Sequence, residues 1–201
     1  MPSNSATVRH LAMEAPVLLL AYGLLRLIDG LDGARGPGLV WTLAHMMFFA
    51  AMVLFGVLAA AVRPLVPAGA RTVATVAAGA VVAGVACFLW VIAGDLSVAF
   101  REAAPLPEPL WIAGPLLFSL GLLALLGLLV AARRVPVWSP LLLGAGVAAI
   151  IIDIDFLPPA ALILLAALSP LARPAREGSA GTLVATENGR RARGERRIIS
   201  A

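Results

Sequence analysis

VPVWSPLLLGAGVAAIIIDIDFLPPAALILLAALSPL, Val135 to Leu171, is a 37-residue run whose only charges are Asp153 and Asp155. A helix that crosses hydrocarbon needs about 20 apolar residues. The run is therefore too long for one crossing and slightly short for two. Its middle decides between them. Two carboxylates at mid-membrane depth are costly on any scale, and the adjacent Pro158 and Pro159 interrupt a continuous helix. The run divides into an ascending segment 135–152, a turn 153–158 and a short returning segment 159–171. A re-entrant hairpin is the alternative for the last two segments.

The rest of the chain supports a membrane reading. Of 201 residues, 61% are hydrophobic and 13% are charged, and mean hydropathy is +0.99. Soluble domains carry about 25% charged residues, so this chain lacks the polar surface to coat a water-exposed globule. The expected fold class is an all-α integral membrane protein, a bundle of about six transmembrane helices. Residues 1–10 form a polar cytoplasmic N-terminus, and residues 11–171 form the bundle. Its spans fall at about 11–28, 39–62, 72–100, 110–132, 135–152 and 159–171. Pro16 suits the first turn of a helix. A cleaved signal peptide is the alternative for the first span, but no convincing cleavage site precedes Arg26.

Net charge is +4, which raises the question of nucleic acid. Residues 1–171 hold eight Arg and eight carboxylates, so the excess lies in residues 172–201, with seven Arg and three Glu. That segment is expected to be a disordered Arg-rich cytoplasmic tail, either solvated and serving only to fix topology or in contact with anionic lipid headgroups. No nucleic-acid partner is expected. The remaining partners are the lipid bilayer and a homo- or hetero-oligomer.

Short-loop arginines set orientation. With six spans, Arg9, Arg63, Arg71, Arg133, Arg134 and the tail share one side. Arg35 and Arg101 lie on the other with Asp29, Asp32, Glu102, Glu108, Asp153 and Asp155. The asymmetry places both termini in the cytoplasm and the chain in the plasma membrane as a multi-pass protein.

This orientation exposes a pattern hidden in the linear order. Arg26 and Asp29 share a helix face at the outer end of the first span. His45 lies roughly 7–9 Å below the outer end of the second, at about 1.5 Å per residue. Asp95 lies at a similar depth on the third, and Asp153 and Asp155 cap the last hairpin. Arg26, Asp29, His45, Asp95, Asp153 and Asp155 thus form a candidate outer-leaflet polar cluster. Three readings remain open: a proton-handling or transport pocket, a structural charge pair, or side chains that snorkel to the interface. A permanent cation compensates a buried carboxylate at every pH, so Arg26 is the expected partner of Asp95, with His45 the alternative.

No catalytic residue, cofactor or metal site is expected. Cys87 is the sole cysteine and reads as a small buried hydrophobe. His45-Met46-Met47 with Met52 offers soft donors that suit Cu(I), but methionines on membrane helices chiefly pack. Zincin, nucleophile-elbow, Walker A and dinucleotide-binding patterns are absent. Small residues recur at Gly56/Ala60, Ala80/Gly84, Gly127/Ala131 and Gly144/Ala148, a spacing that permits close helix approach. Trp41, Trp111 and Trp138 fall at span ends, as interfacial anchors do.

In its Ala/Leu/Arg composition, absence of Lys, short Pro-rich loops and Arg tail, the chain resembles uncharacterised multi-pass membrane proteins of high-GC actinobacteria. The resemblance is compositional, rests on no diagnostic motif and implies no activity. The function expected first is a non-enzymatic membrane component or accessory subunit. The alternative is a small transporter or proton-coupled carrier using an Arg26/His45/Asp95 pocket, and a membrane enzyme ranks third.

Overall fold

The computed structural model describes residues 3–31, 33 and 35–173. The Arg-rich tail, with its expected disorder and headgroup contact, lies outside the described residues apart from its first two positions. Seven α-helices run through the described chain, which contains no strand. They are α1 (Ser3–Asp29), α2 (Leu39–Val62), α3 (Arg71–Leu96), α4 (Val98–Ala103), α5 (Glu108–Ala131), α6 (Trp138–Ile152) and α7 (Leu157–Ala172). Five helical stretches are long and apolar enough to cross a membrane: Ala6–Asp29, Leu39–Leu65, Ala68–Leu96, Glu108–Ala131 and Ile154–Ala172. The helix Trp138–Ile152 is apolar but shorter. At about 1.5 Å per residue it is about 22 Å long, against roughly 30 Å of hydrocarbon.

Local chemistry moves several boundaries from their expected places. Residues 3–10 continue α1 instead of forming a separate terminus, so Pro16 sits well inside the helix and is fully buried. The expected third span 72–100 breaks at Ser97, whose backbone is extended (φ −140°, ψ 106°) and whose Oγ accepts from the Phe100 amide. A Ser at an N-cap supplies the acceptor that the first turn of a helix lacks. Pro158 joins Pro159 in the first turn of α7 instead of closing the turn before it, because a first-turn proline forfeits no helical hydrogen bond. The turn before them shrinks to Asp153 and a 3₁₀ turn, Ile154–Phe156. At the far end of α5, Arg133 takes φ +56°. Its amide bonds Val130 O, and the Arg134 amide reaches back to Leu129 O. That pattern is a Schellman stop, here with an arginine where glycine is the usual occupant.

The helices close a ring: α6 packs on α7, α7 on α1, α1 on α2, α2 on α3, α3 on α5, and α5 returns to α6. Phe55, Leu58, Leu125, Leu129 and Leu168 fill the interior. Much of the outer surface is apolar, including Val76, Ile112, Leu120, Leu141 and Ile152, a surface suited to lipid. The closest approach is between α3 and α5. A Cβ on Gly84 would lie 2.5 Å from the Phe118 backbone nitrogen, and one on Gly121 would lie 2.7 Å from the Ala77 carbonyl oxygen. Backbone, not side chain, meets backbone there. Of the small-residue pairs read from spacing, Gly84 alone supplies such a contact. Gly127 faces open space, while Gly56 and Gly144 have ordinary room.

Candidate functional site

Alternating helix directions bring the α1–α2 loop, the α3–α4 elbow and the α6–α7 turn to one end of the ring. Arg63, Arg71, Arg133 and Arg134 occupy the opposite end. At the first end the polar side chains sort into two linked pairings.

The first centres on Asp155. Its carboxylate lies 3.7 Å from Arg26 Nε, and both of its oxygens lie 3.0 Å from Arg35 Nη2. One acid on the α6–α7 turn thus holds α1 and the loop that follows it. Arg35 reaches Asp155 by crossing Gly30. A Cβ there would meet the guanidinium at 2.7 Å, so glycine at position 30 leaves the path open. Asp153, two residues away, makes no ion pair among the described residues; its Oδ1 accepts from the Asp155 amide at 2.9 Å and starts the 3₁₀ turn. Asp29 is half-buried, and its Oδ2 has no hydrogen-bond partner. The Arg26–Asp29 proximity read from their spacing yields no ion pair among the described residues.

The second pairing is buried deeper. His45 is 3% exposed. Its Nδ1 is 2.9 Å from the Trp41 carbonyl oxygen, and a carbonyl only accepts, so Nδ1 carries hydrogen. Nε2 then faces Asp95 Oδ2 at 3.5 Å. With Nδ1–H already committed, that contact is favourable only when one of the two facing atoms also holds a proton. Aromatic rings fix the imidazole: Trp41 at 4.1 Å between centroids, and Tyr22 edge-on at 5.8 Å. Tyr22 also stacks on Phe48 at 4.6 Å and interacts with the Arg26 guanidinium. It therefore links the two pairings.

The expected Arg26–Asp95 pair is corrected by this geometry. Arg26 goes to Asp155 and Asp95 goes to His45, because α3 packs on α2 and α7 packs on α1. Snorkelling does not describe His45, which is enclosed. Arg35 and Tyr22 belong to the cluster but carried no distinctive sequence signal. Arg35 lies in a glycine-rich loop, and Tyr22 lies in an apolar run. Met52 is buried whereas Met46 is exposed, so these two methionines do not face a common point. Among the described residues no group of three His, Cys, Asp or Glu side chains gathers as metal ligands would.

A comparison with known proteins finds no matching family model, no similar curated protein and no similar solved structure. The functional reading therefore rests on the geometry of this chain.

Proposed function

We propose that the chain is a multi-pass, non-enzymatic component of the plasma membrane, an accessory subunit or assembly partner. In this reading it crosses six times, with both termini in the cytoplasm. The paired polar cluster lies on the outer side and clasps the helices together. One observation carries the reading: the embedded charges Arg26, His45, Asp95 and Asp155 are paired across helices. Asp155 answers two arginines, and Asp95 answers His45. A solute pathway calls for polar groups left free for cargo. The Arg excess at the opposite end supports the orientation.

The second reading, a proton-coupled carrier, draws on the His45–Asp95 pair and on a cavity of about 30 Å³ beside Asp95. Such a space admits water but not an organic solute. Reconstitution separates the two readings. For an accessory component, liposomes holding the purified protein should dissipate an imposed pH gradient no faster than empty ones. Asp155→Asn and Asp95→Asn should still lower its thermal stability. Gradient collapse that is lost in Asp95→Asn would favour the carrier.

A further inference from the structure

The ring consists of two groups of helices joined along two thinner seams. In the first group α6 packs on α7, α7 on α1 and α1 on α2. In the second, α3 packs on α5 with Gly84 and Gly121 at backbone contact. Between the groups, α2 meets α3 and α5 meets α6 over less extensive surfaces. Below His45 the groups meet through apolar rings: Phe48 lies edge-on to Phe88 at 5.8 Å, and Phe55 to Phe118 at 5.5 Å. At the end that carries the polar cluster the contact differs in kind. Among the described residues a single ion pair joins the two groups, His45 to Asp95.

Whether that contact attracts depends on one proton. Nδ1–H is committed to the Trp41 carbonyl at 2.9 Å, so only Nε2 is left for Asp95. With a proton on Nε2, an imidazolium donates toward a carboxylate on the neighbouring helix. Without it, and with Asp95 ionised, two acceptors face each other across 3.5 Å. Unpaired enclosed acceptors are costly, and relief requires the two atoms to separate and admit water. Water is close: the Asp95 side chain is 34% exposed and lies one residue from the end of α3.

The surrounding groups do not compete for this proton. From α1, Tyr22 stands edge-on to the imidazole, and Arg26 is engaged with Asp155. Arg101 and Glu102 come from α4, and Glu108 comes from α5. Arginines stay charged throughout. Carboxylates ordinarily titrate near about pH 4 and phenols near about pH 10, on either side of the range in which an imidazole changes charge.

We infer that the His45–Asp95 pair is a proton-operated latch across the α2–α3 seam, closed when the pair holds a proton and released when it does not. The closed state binds one proton more than the open one, so acid closes the seam and alkali loosens it. The inference rests on neither functional reading, because a latch carries no net proton through the molecule.

Pulsed electron paramagnetic resonance between spin labels on the full chain in mild detergent tests it. In a Cys87→Ala background, Leu39→Cys and Ile112→Cys put labels at exposed positions in the two different groups. Leu39→Cys with Ile151→Cys puts both labels in one group. Raising the pH from about 5 to about 8, the range of an imidazole, should lengthen the first distance by more than about 2 Å, the scale of a hinge rearrangement. The second distance should stay within that limit. Asp95→Asn should keep the first distance short at every pH, because its amide donates to a bare Nε2 and accepts from Nε2–H. His10→Gln alters the exposed histidine that pairs with Glu14 and should leave the response intact. Should Asp95→Asn fail to fold, the two label pairs and His10→Gln decide alone. No lengthening, lengthening on acidification, or equal movement of both label pairs would overturn the latch. So would a response that survives in Asp95→Asn or vanishes in His10→Gln.

Discussion

His45 is held at both ring nitrogens, by the Trp41 carbonyl at 2.9 Å on its own helix and by Asp95 at 3.5 Å on the next. The imidazole is thus a bridge from α2 to α3, with its orientation set from one side and its charge partner supplied from the other. In a double-mutant cycle of His45→Gln and Asp95→Asn, thermal unfolding in detergent should reveal a coupling of about 0.5–3 kcal/mol. Additive losses would show that the two residues stabilise the bundle separately.

The two aspartates of the α6–α7 turn should behave differently. Asp155 answers Arg26 and Arg35, so Asp155→Asn removes a charge from two ion pairs. The acid side chain is 43% exposed, which limits the loss to about 1 kcal/mol. Asp153 acts through a single oxygen that accepts from the Asp155 amide. Asparagine keeps that acceptor, so Asp153→Asn should be nearly neutral, whereas Asp153→Ala should cost about 1 kcal/mol. Unfolding midpoints of the three variants give the comparison, and equal effects of the two Asn substitutions would contradict the assigned roles.

Close packing of α3 on α5 makes glycine position-specific. Gly84→Ala drives a methyl group into the backbone of α5 and should cost about 1–3 kcal/mol, the range for overpacking. Gly127→Ala meets nothing within 4 Å and should be neutral, or should stabilise by up to about 1 kcal/mol through helix propensity. Denaturant unfolding in mixed micelles distinguishes the two.

What was legible in the sequence follows from what a helix periodicity can carry. Depth along a helix can be counted at about 1.5 Å per residue, so Arg26, His45 and Asp95 could be placed near one level. Rotation about the axis and the order of helices around the ring cannot be counted that way. Arg26 and His45 were therefore both open as partners of Asp95, and the α2–α3 packing decides for His45. Sequence spacing places Asp155 in the polar cluster but gives it no partner, because the return of its turn beside α1 is a packing relationship. The break at Ser97 interrupts no apolar run. Its sole local signal is one capping serine, and a capping serine carries no information about the cavity that the break builds. Pro158 and Pro159 signal a break in the apolar run, but a first-turn proline is equally a helix start, and only the α7 packing distinguishes the two.

The central claim is that the α6–α7 turn returns to the outer face and meets the α1–α2 loop there. Arg35→Cys with Asp155→Cys, in a Cys87→Ala background, replaces two side chains in contact at 3.0 Å. A short, membrane-impermeant bifunctional thiol reagent is then added to intact cells, and the linked peptides are identified by mass spectrometry after proteolysis. The account requires an intramolecular crosslink between positions 35 and 155 without permeabilisation. Separate modification of the two cysteines with no link, or reaction only after the membrane is opened, would contradict it.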